Sequence, residues 1–122
     1  MPITEIIVKK SRFIAYSKKI NSEDEAKMFI DEITHKHKRA RHVAFAYVFA
    51  DITKYSDAGE PRGTAGQPIR NNIQKRNLCD VVVVVVRYFG GILLGKSGLI
   101  RAYGKSAGAS LNETFPVKRK LT

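Results

Sequence analysis

Tryptophan is absent from this chain, cysteine occurs once, and no glycine precedes residue 59. A lone Cys79 cannot close an internal disulfide, so packing and hydrogen bonding must hold the fold. Cys79 precedes an apolar run and is expected as a small buried hydrophobe rather than a nucleophile. Long apolar stretches are also scarce. The valines of Val81 to Val86 end at Arg87, well short of the roughly 20 residues that span a bilayer. The opening MPITEIIVKK has no basic segment ahead of an apolar one and does not read as a secretory leader. These absences point to a cytoplasmic chain that makes no membrane contact.

Acid is the other scarcity: 11 Asp and Glu stand against 22 Lys and Arg, a net charge of +11. Residues 1 to 32 hold six of each sign, so the whole excess falls in residues 33 to 122. A field of that size draws phosphates, acidic proteins or anionic headgroups, and says nothing about fold. The 122 residues, 43% hydrophobic, suffice for one modest core and are read as a single domain, with VKRKL and Thr122 as a tail.

Periodicity predicts a strand over residues 11 to 20 and a helix over 23 to 37. In that helix Ser22 and Glu25 have capping-box spacing, and Ala26, Phe29, Ile30 and Ile33 share one stripe. His42 to Asp51 reads as a strand, Ile52 to Ser56 as its return, and Gly66 to Arg76 as a helix with Pro68 in its first turn. The valine run offers apolar side chains to both faces of a sheet and predicts a central strand. If helices cover one face alone, a second copy or a further domain must cover the other. Leu99, Ile100, Tyr103, Ala107 and Leu111 mark a last helix, and the order is β-α-β(β)-α-β-α.

Three strings invite chemistry. Gly90 to Ser97, GGILLGKS, matches the phosphate-loop pattern, but Ile92, Leu93 and Leu94 are bulky and expected to seek a core, and too little chain follows for such a sheet. In the turn-rich Ser56 to Pro68, Asp57 and Glu60 could act as acid and base or hold a metal. Turn chemistry is favoured instead: Asp57 accepts backbone N–H bonds, Glu60 caps or pairs with Arg62, and the glycines take positive φ. His35, His37 and His42 lie in HKHKRARH, too cationic a setting for a metal and better suited to phosphate. No catalytic residue, metal or cofactor is expected. Arg101 and Lys105, one helical turn apart, form a basic strip beside Arg87, Tyr88 and Phe89, an arrangement that suits phosphates and stacked bases, although Tyr88 and Phe89 as plain core residues is the slightly favoured reading.

The strings KKSRFIA (from Lys9), ARHVAFAYV (from Ala40), SDAGEPRGTAGQPI (from Ser56) and VVVVRYFGGILLGKSGLIRAYG (from Val83) together resemble the IMPACT/YigZ family, in its order and over nearly the whole chain. The resemblance implies a mixed α/β (α+β) two-layer sandwich of the ribosomal protein S5 domain 2 type, with residues 1–122 as one such domain and no second one. It implies a translation-associated regulator. Eukaryotic members interfere with activation of the kinase that phosphorylates the initiation factor, and RNA or ribosome binding is proposed for bacterial members, which carry a further C-terminal domain. The family-motif loops fall on Asp57, Gly59, Glu60, Pro61, Gly63, Thr64, Gly66, Gly90 and Gly91. A basic face for RNA or the ribosome is then drawn from Arg12, Arg41, His42, Arg62, Arg87, Lys96, Arg101 and Lys105. A protein-binding regulator using the apolar outer face of the valine strand is the alternative, and a small hydrolase or nucleotide-binding enzyme a more distant one. Two departures weaken the enzyme reading: Ala58 stands where the family pairs a second acid with Asp57, and Gly95, Lys96, Ser97, Gly98 stand where it has Gly-Thr-Gly-Gly.

Overall fold

The valine strand sits at the centre of a five-stranded antiparallel sheet in a computed structural model that describes residues 3–116. The expected tail, VKRKL and Thr122, lies outside the described residues. In chain order the elements are β1 (Ile3–Val8), β2 (Ser11–Lys19), α1 (Glu23–Lys36), β3 (His42–Phe49), β4 (Ile52–Ser56), α2 (Gly66–Lys75), β5 (Val81–Tyr88) and α3 (Gly95–Thr114). The sheet runs β1-β2-β5-β3-β4.

The mixed α/β class is as expected, with one element more. β1 is an edge strand paired only with β2, and it alternates exposed with half-buried residues, so its apolar signal is weak. Its turn, Lys9 and Lys10, contains none of the usual turn residues. Both lysines have positive φ, +47° and +68°, where a side chain costs about 1–2 kcal/mol per residue.

All six valines of β5 are fully buried, and alternation divides them. Val81, Val83 and Val85 pack with Ile69 and Ile73 of α2 and Tyr103, Ala107 and Leu111 of α3. Val82, Val84 and Val86 pack on the other face with Ala26, Phe29 and Ile33 of α1. Each buried valine is worth roughly 1.5–3 kcal/mol relative to an exposed one. The helices therefore form two layers around the sheet rather than one. α1 covers the face that a second copy, a further domain or a partner protein was expected to cover, so the valine strand presents no free apolar surface.

Helix α1 starts as its sequence indicates. Ser22 Oγ accepts from the Glu25 N–H at 3.0 Å, and Glu25 returns a carboxylate to the Asn21 N–H at 3.2 Å. The start of α2 is held from outside the helix, by Asp57. Two glycines permit close approaches: a Cβ at Gly66 would lie 2.5 Å from the Ser56 carbonyl oxygen, and one at Gly90 2.1 Å from the Lys10 carbonyl carbon. The second contact seats the β5–α3 connection on the β1–β2 turn.

Candidate functional site

Pairing places Phe13, Arg87 and His42 side by side across β2, β5 and β3, on the face that α2 and α3 cover. Arg87 shares the parity of Val81, Val83 and Val85, so its guanidinium points inward and needs a buried anion. Glu60, from the loop before α2, supplies it: Arg87 Nη1 donates to both carboxylate oxygens, at 2.9 and 2.8 Å. Tyr103 Oη of α3 donates to Glu60 Oε2 at 2.5 Å, and Arg87 Nη2 donates to Ser11 Oγ at 3.3 Å. His42 bonds the Ala58 carbonyl through Nδ1 at 2.7 Å and places Nε2 3.4 Å from Glu60 Oε1. Burial, and then the bond to Glu60, push the Tyr103 phenol far above its ordinary value.

Two expectations are corrected here. Glu60 pairs with Arg87 rather than Arg62, and Arg87 is buried at 5% exposure instead of standing on a binding face. The signal was available in principle, because a cation in register with core valines requires an internal carboxylate. Asp57 behaves as turn chemistry predicts. Its two oxygens accept the N–H groups of Gly63, Ala65 and Gly66 at 2.8 to 3.1 Å and close the loop onto the start of α2. Gly59 and Gly63 take positive φ, as does Ala58, while Pro61 and Thr64 are joined by the bonds that Thr64 makes to the Pro61 carbonyl.

Above this buried network, the same end of the sheet carries exposed cations against aromatic rings. The Arg12 guanidinium lies 5.3 Å from the Tyr88 ring and is paired with Glu5 at 3.0 Å; that of Arg41 lies 4.8 Å from the Phe89 ring. Tyr88 turns to the α1 face, where its hydroxyl meets His37 Nδ1 at 2.7 Å, and Tyr16 Oη meets His37 Nε2 at 2.5 Å. His35 bonds the Asp31 carbonyl instead, so the three histidines face different partners. Of the bulky residues after Gly91, Leu94 is buried, but Ile92 and Leu93 are exposed at 41% and 81%, which corrects the expectation that all three seek a core. Cys79 is likewise exposed, in the turn after α2, with Sγ 3.2 Å from Asp80 Oδ1.

Arg101 and Lys105 stand on the exposed side of α3, with α2 on one flank and the β1–β2 turn on the other. Together with Lys75 and Arg76, at the end of α2, they line an open groove of about 420 Å3 whose remaining walls are small, apolar or amide side chains. Among the described residues no carboxylate lines it. The helices approach closely because Gly104 and Gly108 face Asn72, and Arg76 Nη1 donates to Asn112 across the groove at 2.5 Å. Arg62 and Lys96 are exposed, on the loop before α2 and in the first turn of α3. Of the cations expected on one basic face, Arg87 is buried, Arg12 and Arg41 lie against rings at the sheet end, and Arg101 and Lys105 line the groove. Lys75 and Arg76 were missed; their signal was a basic pair closing a predicted helix.

These features define a small α/β domain, an antiparallel sheet with helices on both faces, a buried Glu60–Arg87–Tyr103 network and basic recesses along its last helix. Residues 9–111 match the Impact N-terminal domain, and the chain belongs to the IMPACT family. It is 49% identical over 120 residues to IMPACT family member YvyE of Bacillus subtilis, covering 96% of this chain and 55% of that protein. A crystal structure of a hypothetical protein superposes with a TM-score of 0.88 at 36% identity, covering 91% of this chain and 56% of that one. The two-domain translational regulator Yih1 superposes at 0.58 with 26% identity, over 89% of this chain and 47% of that one. The chain spans about half the length of the curated relatives it matches.

Proposed function

We propose that this domain is a translation-associated regulator that binds RNA, free or within the ribosome, through the groove between α2 and α3. The translational context is supported by the likeness to Yih1, described as a translational regulator. The observation that carries RNA as the ligand is the groove itself: Lys75, Arg76, Arg101 and Lys105 line it, and among the described residues no acid does. Four cations on one recess match the spacing-tolerant demands of a phosphate backbone, whose binding is driven by counterion release. No reaction belongs to this reading, because Asp57 and Glu60 are both engaged within the fold.

Anisotropy of a labelled mixed RNA, titrated at two salt concentrations, tests it. Binding should weaken steeply with salt, and Arg101→Glu with Lys105→Glu should weaken it further at fixed salt. Salt-independent binding, or a double variant that binds like the parent, overturns it.

A further inference from the structure

On the other flank of α3, facing the β1–β2 turn, lies a separate recess of about 280 Å3. Its floor is apolar and low: Val8 from the end of β1, then Leu94, Gly98 and Ala102 at successive turns of α3. Its rim is cationic: Lys9, Arg101 and Lys105, with no carboxylate among the lining residues. Arg101 and Lys105 line this recess and the α2–α3 groove alike, so the two sites share their cations across the ridge of α3.

The turn that carries Lys9 has an unusual backbone. Lys9 and Lys10 form a two-residue hairpin turn with both φ angles positive, a position that Asn-Gly fills most readily. The turn holds the Lys9 side chain at the rim of the recess.

We propose that this recess takes one unpaired nucleotide of a bound RNA. Its phosphate lies among Lys9, Arg101 and Lys105, and the base lies flat on Gly98 and Ala102 between Val8 and Leu94. The inference rests on the RNA reading above and deepens it, since it makes the ligand single-stranded. A base held in a duplex cannot turn into the pocket while its backbone follows the groove. The recess is at the small end of ligand sites, matched to a single flat group rather than to a larger ligand.

The experiment compares a short single-stranded oligouridylate with a blunt RNA duplex on the full chain and on two variants. The parent should prefer the single strand by about tenfold. Gly98→Leu, which fills the recess without changing charge, should erase that preference and leave duplex binding intact. Lys9→Asn with Lys10→Gly should raise the melting temperature by relaxing the turn, yet weaken single-strand binding several-fold. In parallel, amide shifts are followed with uridine 5′-monophosphate and with inorganic phosphate, which needs no variant to fold. The nucleotide should move Val8, Gly98 and Ala102, and phosphate alone should leave Gly98 and Ala102 in place. Equal binding of single strand and duplex, an unchanged preference in Gly98→Leu, or identical shifts from the two probes overturns the pocket while the groove stands. If the parent binds neither RNA, the groove reading falls and the pocket with it.

Discussion

Glu60 and Arg87 meet inside the molecule, with Arg87 Nη1 2.8 Å from Glu60 Oε2 and side chains only 3% and 6% exposed. Removing one member of such a pair strands the other charge, at a typical cost of about 3–5 kcal/mol. Arg87→Met and Glu60→Gln should therefore each lower unfolding free energy by an amount in that range, read from urea transitions. Tyr103→Phe removes one charge-assisted bond and should cost less, about 1.5–3 kcal/mol. A Tyr103→Phe variant less stable than Arg87→Met would reverse this ranking.

Tyr47 gives the alkaline limb of stability its direction. Burial, and then its 2.5 Å bond to Glu23, push its phenol up to about 12, and the Tyr103 phenol is pushed up further. The unfolded chain releases these protons from about pH 10, while the folded chain keeps them. Stability should be intact below that value and fall as pH rises through it toward about 12. Tyr47→Phe should flatten the fall. The check is the pH dependence of the unfolding midpoint together with phenolate absorbance, which should lag in the native protein and jump on unfolding.

Local signals in this chain were legible because local contacts satisfy them. Ser22 and Glu25 are three residues apart and bond each other's turn, so the start of α1 could be read from spacing. The valine run could be read as a central strand because no other placement buries both of its faces. Contacts between distant segments were not legible. That α1 lies opposite α2 and α3, that Glu60 reaches Arg87 past Arg62, and that Lys75 and Arg76 meet Arg101 and Lys105 all depend on how helices cross the sheet. β1 escaped notice because its turn is built of lysines, and Cys79 was wrongly expected to be buried because a small thiol carries no pattern that places it in an exposed turn.

His37 sets the acid limb. Burial lowers its pKa below the ordinary value, and Lys36 and Arg12 lower it further, while Tyr16 and Tyr88 occupy both ring nitrogens. As pH falls below about 6.5 the unfolded chain takes up this proton before the folded one does. Stability is therefore present above that value and declines beneath it, through the lowered folded pKa. Melting temperatures recorded from neutral to mildly acidic pH should show this decline, and His37→Gln should lessen it. A variant with the parent's full acid slope would exclude His37 as the source.

Asp57 is the anchor of the loop before α2, accepting three backbone N–H groups with two oxygens. Asp57→Ala leaves those donors to water or to nothing and should destabilise by about 2 kcal/mol, the upper end for a lost helix cap. Asp57→Asn keeps one acceptor oxygen and should cost roughly half as much. Amide exchange localises the effect: Ala65 and Gly66 should lose protection before the β5 amides do. Uniform loss across the sheet would mean that the loop and the core unfold together.

The groove between α2 and α3 makes a quantitative demand on RNA binding. Each cation that neutralises a phosphate contributes about 0.7 to the slope of log K against log salt for a single strand. Arg101→Gln with Lys105→Gln should therefore lower that slope by about 1.4, beyond simply weakening binding at one salt concentration. Lys54→Gln supplies the control. Lys54 lies in β4 and lines a recess with Lys27, Asp31 and Tyr47 on the α1 side of the sheet, away from the groove. Its removal lowers the net charge as any single lysine does, but it should leave the slope in place. A slope change from Lys54→Gln half as large as that from the double variant, the same for each charge removed, would mean that the protein attracts RNA by total charge alone, without a site.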